Sequence, residues 1–390
     1  MRVLLAFDKF RDALTAQQAC EAAANALREL HPGWSLDLCP LADGGEGFAA
    51  ILTAAAGGTL QQVPVNGPRG DPRPAHFGLV TAGTIPAARA LLGLPALPAA
   101  APVAVVELAQ ASGLALLPPD QRDPWQTTTF GAGQLIRIAA GEFGAQAVVL
   151  GVGGSATNDL GLGALAALGL DFLTESGESL LPPVPARWPQ LARIAGNIRP
   201  SLPPLRIACD VDNPLLGPNG AAATYGPQKG LHPEDIQRLD HASARIALML
   251  CAHSHRPDTL MDMPGAGAAG GTAFGLLCGA GAQLVPGSTL VAAWLDLDAR
   301  LAAADVVLTG EGCFDATSLT GKGPGTILAR ARALGKPAHV FAGCAEPQTA
   351  GFGDPALQRL HVITPAGIRL PDALRDAAAN LAGAVATAFP

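Results

Sequence analysis

Near both ends of the chain, short apolar runs of strand length alternate with longer stretches in which apolar residues recur every three or four positions. At the start, residues 3–7 predict a strand. Residues 15–30 predict a helix capped by Thr15 and stopped near Pro32, and 36–41 and 48–56 predict a second strand and helix. Towards the other end, 305–308, 339–342 and 361–364 predict strands, with a helix over 327–334 ending at Gly335. This alternation predicts a parallel α/β sheet. Between the two ends the pattern changes: 63–68 and 74–80 read as short strands of an antiparallel region. The Ala/Leu/Pro-dominated 82–102 and the Pro-rich 182–204 read as covering loops. The simplest architecture is an α/β chain of two domains. A Rossmann-like parallel-sheet domain is split in sequence, residues 1–60 and 285–390, and a second α/β domain, residues 61–284, is inserted into it.

Composition fits this picture. In 390 residues, 49% are hydrophobic, 15% are charged and only one is Tyr, so the interior must be packed from Ala, Leu, Val and Ile. The 47 Gly and 34 Pro imply many tight turns. The net charge of −7 gives no electrostatic case for a nucleic-acid or anionic-membrane partner, and the apolar runs are too short and interrupted to span a bilayer. Met1-Arg2-Val3 enters a strand without the apolar segment of a secretion signal. Seven cysteines, an odd number without metal-ligand spacing, read as reduced thiols of a cytoplasmic protein. None of this sets an oligomeric state.

The chemistry lies in five loops. The most informative is Gly151-Val152-Gly153-Gly154-Ser155-Ala156-Thr157-Asn158-Asp159. It follows the apolar run 147–150 and leads into a segment of small residues, which predicts strand, tight loop and helix N-terminus. In that geometry unpaired N–H groups and the helix dipole favour an anion. Ser155, Thr157 and Asn158 add neutral hydrogen-bonding groups, and Asp159 is a candidate metal ligand. Gly151-x-Gly153-x-x-Ala156 also fits a dinucleotide fingerprint, with Asp171 near the ribose-binding offset, so an NAD(P)-dependent oxidoreductase is a competing reading. A non-catalytic sugar-acid sensor is another.

In the first loop Asp8, Lys9 and Arg11 follow strand one, where the ligand crevice of a parallel sheet opens; a solvated turn is the alternative. Asp43-Gly44-Gly45-Glu46-Gly47 places two acids among three glycines, able to ligate Mg²⁺ or bind hydroxyls. Asp210-Val211-Asp212-Asn213-Pro214 places two carboxylates on one side of an extended segment. They suit Mg²⁺ or a general base, or make an Asp-rich turn. Thr309-Gly310-Glu311-Gly312-Cys313-Phe314-Asp315 precedes Lys322, which is flanked by glycines before a helix and is well placed for phosphate.

Taken in order, these motifs, with Glu107-Leu108-Ala109-Gln110-Ala111-Ser112-Gly113-Leu114 and Thr127-Thr128-Thr129-Phe130-Gly131-Ala132-Gly133, resemble the type I glycerate kinase family, the bacterial glycerate 2-kinases, over essentially the whole chain. Two departures stand out: Lys9-Phe10-Arg11 where the family usually has Ser-Phe-Lys, and Cys313-Phe314-Asp315 where it usually has Arg-Ile-Asp. The resemblance implies an ATP-dependent kinase forming 2-phosphoglycerate from D-glycerate with Mg²⁺, its active site in a cleft between two α/β domains. On that basis Asp210, Asp212, Asp43 and Lys322 are assigned to catalysis. Asp8, Lys9, Arg11, Glu46 and Asn213 are assigned to glycerate. Gly153, Gly154, Ser155, Ala156, Thr157, Asn158, Gly310 and Glu311 are assigned to ATP, and Asp159, Asp210 and Asp212 to the metal.

Overall fold

The computed structural model describes residues 1–42, 44–315, 318, 323–346 and 358–390. Asp43 and Lys322 therefore lie outside the described residues. In chain order the strands are β1 (Arg2–Phe7), β2 (Ser35–Leu38), β3 (Thr59–Asn66), β4 (Pro72–Thr81), β5 (Pro102–Glu107), β6 (Ala147–Gly151), β7 (Leu170–Leu173), β8 (Arg193–Gly196), β9 (Leu205–Ala208), β10 (Gln283–Val285), β11 (Val306–Phe314), β12 (Ala338–Ala345) and β13 (Gln358–Val362). The chain forms two compact units, Met1–Asp43 with Val291–Pro390, and Gly44–Leu290.

The first unit is built on a sheet in the order β13-β12-β11-β1-β2, parallel throughout. Residues 3–7 of β1 are all buried, as a central strand covered on both faces requires. Helix Ala16–Leu30 turns one stripe inward, Ala16, Ala19, Cys20, Ala23, Ala24 and Leu27. Its start is a capping box: the Gln18 N–H donates to the Thr15 hydroxyl at 3.2 Å, and the Thr15 N–H donates to Gln18 Oε1 at 2.9 Å. Strand β11 runs well past the predicted 305–308 because its register with β12 continues to Phe314 opposite Ala345. Gly310, Glu311 and Gly312 are thus strand residues rather than loop residues. At Gly310 a Cβ would lie 1.9 Å from the Phe341 carbonyl, which is why glycine is needed there.

That register also sets Cys313 opposite Cys344, with Cα atoms 4.6 Å apart, and the two are joined as a disulfide. This differs from the expectation of seven reduced thiols. The pairing is made by strand register across 31 residues of sequence, so cysteine spacing carries no sign of it.

The second unit carries a sheet in the order β10-β9-β6-β5-β4-β3, parallel from β10 to β5 and antiparallel from β5 to β3. The antiparallel pair expected over 63–68 and 74–80 is present as β3 and β4. The two stretches read as loops contain more structure than their composition suggests: helix Pro86–Leu91 in the first, and β8, paired antiparallel with β7, in the second. No helix among the described residues is long and apolar enough to cross a membrane.

Candidate active site

At the carboxyl ends of β1, β11 and β12 the first unit encloses a cavity of about 780 Å³. Asp8, Lys9 and Arg11 enter it from the loop after β1, Glu311 from β11, Asp315 from just beyond it, and Val362, Ile363, Ile368, Leu370 and Leu374 form an apolar wall. The main chain fixes this end of the sheet, the Asp8 N–H donating to the Gly310 carbonyl at 2.9 Å. The Lys9 N–H donates to Asp8 Oδ1 at 2.7 Å, and a turn at Asp315 is closed by Ser318, whose N–H donates to Asp315 Oδ1 at 3.0 Å. Glu311 is half-buried, and its Oε1 is buried without a hydrogen-bond partner. Burial pushes its carboxyl up to about 7, the charges of Asp8 and Asp315 add to the rise, and a Ser318 hydrogen bond and the nearby Arg11 charge oppose it. Two cations, Lys9 and Arg11, therefore share one apolar-walled cavity with Glu311, an acid of high proton affinity, and with the carboxylates of Asp8, Asp12 and Asp315. Such a site can hold a small anion and accept a proton from it.

In the second unit the predicted anion loop follows β6. The Gly153 N–H donates to the Gly44 carbonyl at 2.9 Å, and a Cβ on Gly153 would lie 2.6 Å from Gly45 Cα, so two glycine-rich loops touch main chain to main chain. Glu46 is exposed, and a Cβ on Gly154 would lie 4.0 Å from its Oε1. From Ser155 onward the loop faces inward. The Ala156 N–H donates to the Ser112 carbonyl at 2.8 Å. Lys229 is 1% exposed, and its ammonium donates to Ser155 Oγ (2.9 Å), the Thr157 carbonyl (2.7 Å) and Asn158 Oδ1 (3.2 Å). Burial pulls Lys229 down to about 7, against the charge of Asp159. Sequence reasoning missed this lysine. Its only local signal is its place before Gly230, whose left-handed backbone (φ 92°) presses on the Arg122 carbonyl.

Asp159 is wholly buried and accepts from the Thr129 N–H (2.7 Å), the Thr129 hydroxyl (2.8 Å) and the N–H groups of Gly161 (3.1 Å) and Gly163 (3.2 Å). Its carboxylate is an anchor for the turn and has no open face for a metal. Asp210 accepts from the Ser288 N–H at 2.8 Å and its hydroxyl at 3.1 Å, tying the end of β9 to helix Gly287–Trp294. Asn213 is committed to its own loop, donating to the Asn219 carbonyl at 2.8 Å and accepting from Tyr225 at 2.6 Å, while Asp212 is exposed. Among the described residues no group of three or more His, Cys, Asp or Glu is arranged to hold a metal ion.

The dinucleotide fingerprint does not survive. Helix Leu162–Leu168 starts six residues after Ala156, and Asp171 sits on β7, which belongs to the separate two-stranded sheet with β8. The fingerprint needs the helix to begin at the glycines and the acid to end the next strand of the same sheet.

Glu107 is a second residue without a role in the sequence reading. At the end of β5 and 1% exposed, it accepts from the N–H groups of Gly47 (3.1 Å) and Ala49 (3.3 Å), holding the start of helix Phe48–Ala55. Burial pushes its carboxyl up to about 7, with the charge of Glu46 adding slightly. A folded pKa above the unfolded value makes the protonated form the stabilising one. That contribution is complete below the ordinary carboxylate value of 4.5 and is lost as pH rises through about 7. Glu107→Gln should remove this dependence. Urea unfolding of wild type and variant should show a stability gap that moves in favour of the variant by up to about 3 kcal/mol between pH 4.5 and 8. A gap that stays constant with pH would mean that Glu107 ionises as it does in the unfolded chain.

Comparison with known proteins agrees over the whole length. The model of the glycerate kinase family matches residues 3–389. Glycerate kinase of Bacillus subtilis (strain 168) is 37% identical over 386 residues, covering 97% of this chain and 94% of its own. Glycerate 2-kinase of Escherichia coli (strain K12) is 33% identical over 352 residues, 88% of this chain and 85% of its own. A crystal structure assigned as a glycerate kinase 2 from Salmonella typhimurium LT2 superposes with a TM-score of 0.77 at 35% identity, covering 100% of this chain and 97% of that one.

Proposed function

The chain belongs to the glycerate kinase family, whose members are phosphotransferases, and on that premise we propose that it transfers the γ-phosphoryl group of ATP to the 2-hydroxyl of D-glycerate. The observation that carries this reading is the meeting of Lys9, Arg11 and Glu311 in one cavity. A three-carbon hydroxy acid needs a cationic grip for its carboxylate and a proton acceptor one carbon away, and these residue types supply both. Arg11 offers a planar fork suited to a carboxylate, with Lys9 as an additional point charge. The donor phosphates are assigned, on residue types alone, to the glycine-rich turn at Gly154 and to Lys322.

Asp159 is wholly buried with its carboxylate engaged by the chain, and Asp210 accepts from Ser288, which supports a reading without a resident metal ion. We therefore take Mg²⁺ to enter with the nucleotide, as MgATP, and to neutralise the phosphates there. Catalysis of phosphoryl transfer is mostly positioning and charge stabilisation, which the Arg11 and Lys9 charges in a cavity with fixed walls can provide.

Attack by the 2-hydroxyl brings phosphate close to the substrate carboxylate. That like-charge contact costs roughly 4 kcal/mol per charge pair at ~4 Å and an effective dielectric of about 20, which is what the Arg11 and Lys9 charges offset. The test is to incubate enzyme, MgATP and D-glycerate with enolase but no phosphoglycerate mutase. Phosphoenolpyruvate should appear at once. A signal that waits for the mutase would mean attack by the primary hydroxyl, and no ADP release at all would end the kinase reading for this substrate.

A further inference from the structure

We propose that Glu311 is the catalytic base, taking the proton of the glycerate hydroxyl as the phosphoryl group is transferred, a role that rests on the glycerate kinase reading above. Four observations lead to it. Glu311 sits on the last stretch of β11 before the cavity and lines it. Its Oε1 is buried without a partner, an acceptor left open where buried acceptors are ordinarily filled. Arg11 lines the same cavity, so a carboxylate held by Arg11 brings its neighbouring hydroxyl into the space that Glu311 lines. Of the other predicted bases, Asp210 is committed to the start of helix Gly287–Trp294, accepting from the Ser288 N–H and hydroxyl.

In the step, the hydroxyl O–H bond breaks and its proton goes to the Glu311 carboxylate. The oxygen forms a bond to the γ-phosphorus as the bond from phosphorus to the bridging oxygen breaks. ADP leaves with that electron pair, and Glu311 later releases the proton to water. The groups around Glu311 come from each neighbouring element. Asp8, Lys9, Arg11 and Asp12 come from the β1 loop, and Asp315 and Ser318 from beyond the end of β11, its own strand. β12 contributes Gly343 and the bonded Cys344, and the wall beyond is Thr364 with aliphatic side chains. Arg330, on the helix packed against β11, is paired with Asp298. Burial and the two aspartates outweigh Arg11, leaving a carboxyl that changes state at about 7, where a base is most effective.

The expected result is that Glu311→Gln lowers kcat by about 10²-fold or more while the KM for glycerate changes by no more than about threefold. The wild-type kcat/KM should fall with an acid limb near pH 7, and the residual rate of the variant should lack that limb. Glu311→Ala should recover turnover on addition of formate, which can stand in for the missing carboxylate. A wild type that phosphorylates glycerate with no acid limb, or a Glu311→Gln enzyme within threefold of wild type, overturns the role of Glu311 and leaves the kinase reading intact. If Asp8→Asn abolishes the limb and Glu311→Gln does not, Asp8 is the base and the proposal fails. A wild type that transfers no phosphate to glycerate overturns the kinase reading and this role together. A wild-type profile without the limb overturns the proposal even if a variant does not fold.

Discussion

Asp159→Ala is expected to lower the stability of the fold by about 3–5 kcal/mol, the range for removing one member of a buried charged network. Two main-chain turns and a helix start are tied to this one side chain, which accepts from Thr129, Gly161 and Gly163. Truncation leaves those donors buried with no acceptor and removes the anion closest in effect to Lys229. Asp159→Asn keeps one oxygen for Thr129 and turns an amide N–H₂ towards Gly161, so its loss should be smaller. Urea unfolding followed by circular dichroism measures both. A shift below about 1 kcal/mol for the alanine variant would show that the turn is held by its glycines and threonines alone.

Arg11→Ala is expected to raise the KM for glycerate by about 30- to 100-fold, the loss of a charge-assisted hydrogen-bonded pair worth roughly 2–3 kcal/mol. The KM for ATP should stay within a factor of about three. Arg11→Lys should recover only part of the loss, since an ammonium lacks the planar fork. Because Arg11 pulls the Glu311 carboxyl down, its removal should also move the acid limb of kcat/KM to higher pH. Steady-state kinetics over a pH series tests both statements. An effect confined to ATP would transfer Arg11 to the nucleotide.

The split between what the sequence revealed and what it hid follows the range of the interactions. The helix Ala16–Leu30 was legible because its stripe and the Thr15-Gln18 box are local. The antiparallel β3 and β4 were legible for the same reason, as apolar runs separated by Asn66-Gly67-Pro68 and the turn that follows. The charged first loop was legible as residue types after a strand. Lys229, Glu107 and the Cys313–Cys344 bond were not, because each acquires its role from a partner 31 or more residues away. The hydrogen bonds of Asp210 were hidden for a related reason: two acids two residues apart read as a metal pair or a base, and nothing local announces Ser288, 78 residues away. The Gly153 loop was recognised as a strand-to-helix connection, but its polar side chains are engaged from behind by Lys229, which no local pattern announces.

The order of strands in the first unit has a consequence for how the protein is made. β1 lies between β2 and β11, and β11 to β13 belong to the last part of the chain. As the polypeptide leaves the ribosome, β1 and β2 emerge first with one side of β1 unpaired, and they remain so while the whole of residues 44–290 is synthesised. At roughly 5–20 residues per second that delay is tens of seconds, long enough for the second unit to fold on its own sheet. For that interval the apolar β1 is an open edge of the kind that recruits other chains. The early-formed, well-capped helix Ala16–Leu30, packed on β1 through its apolar stripe, covers one face of the strand until β11 arrives.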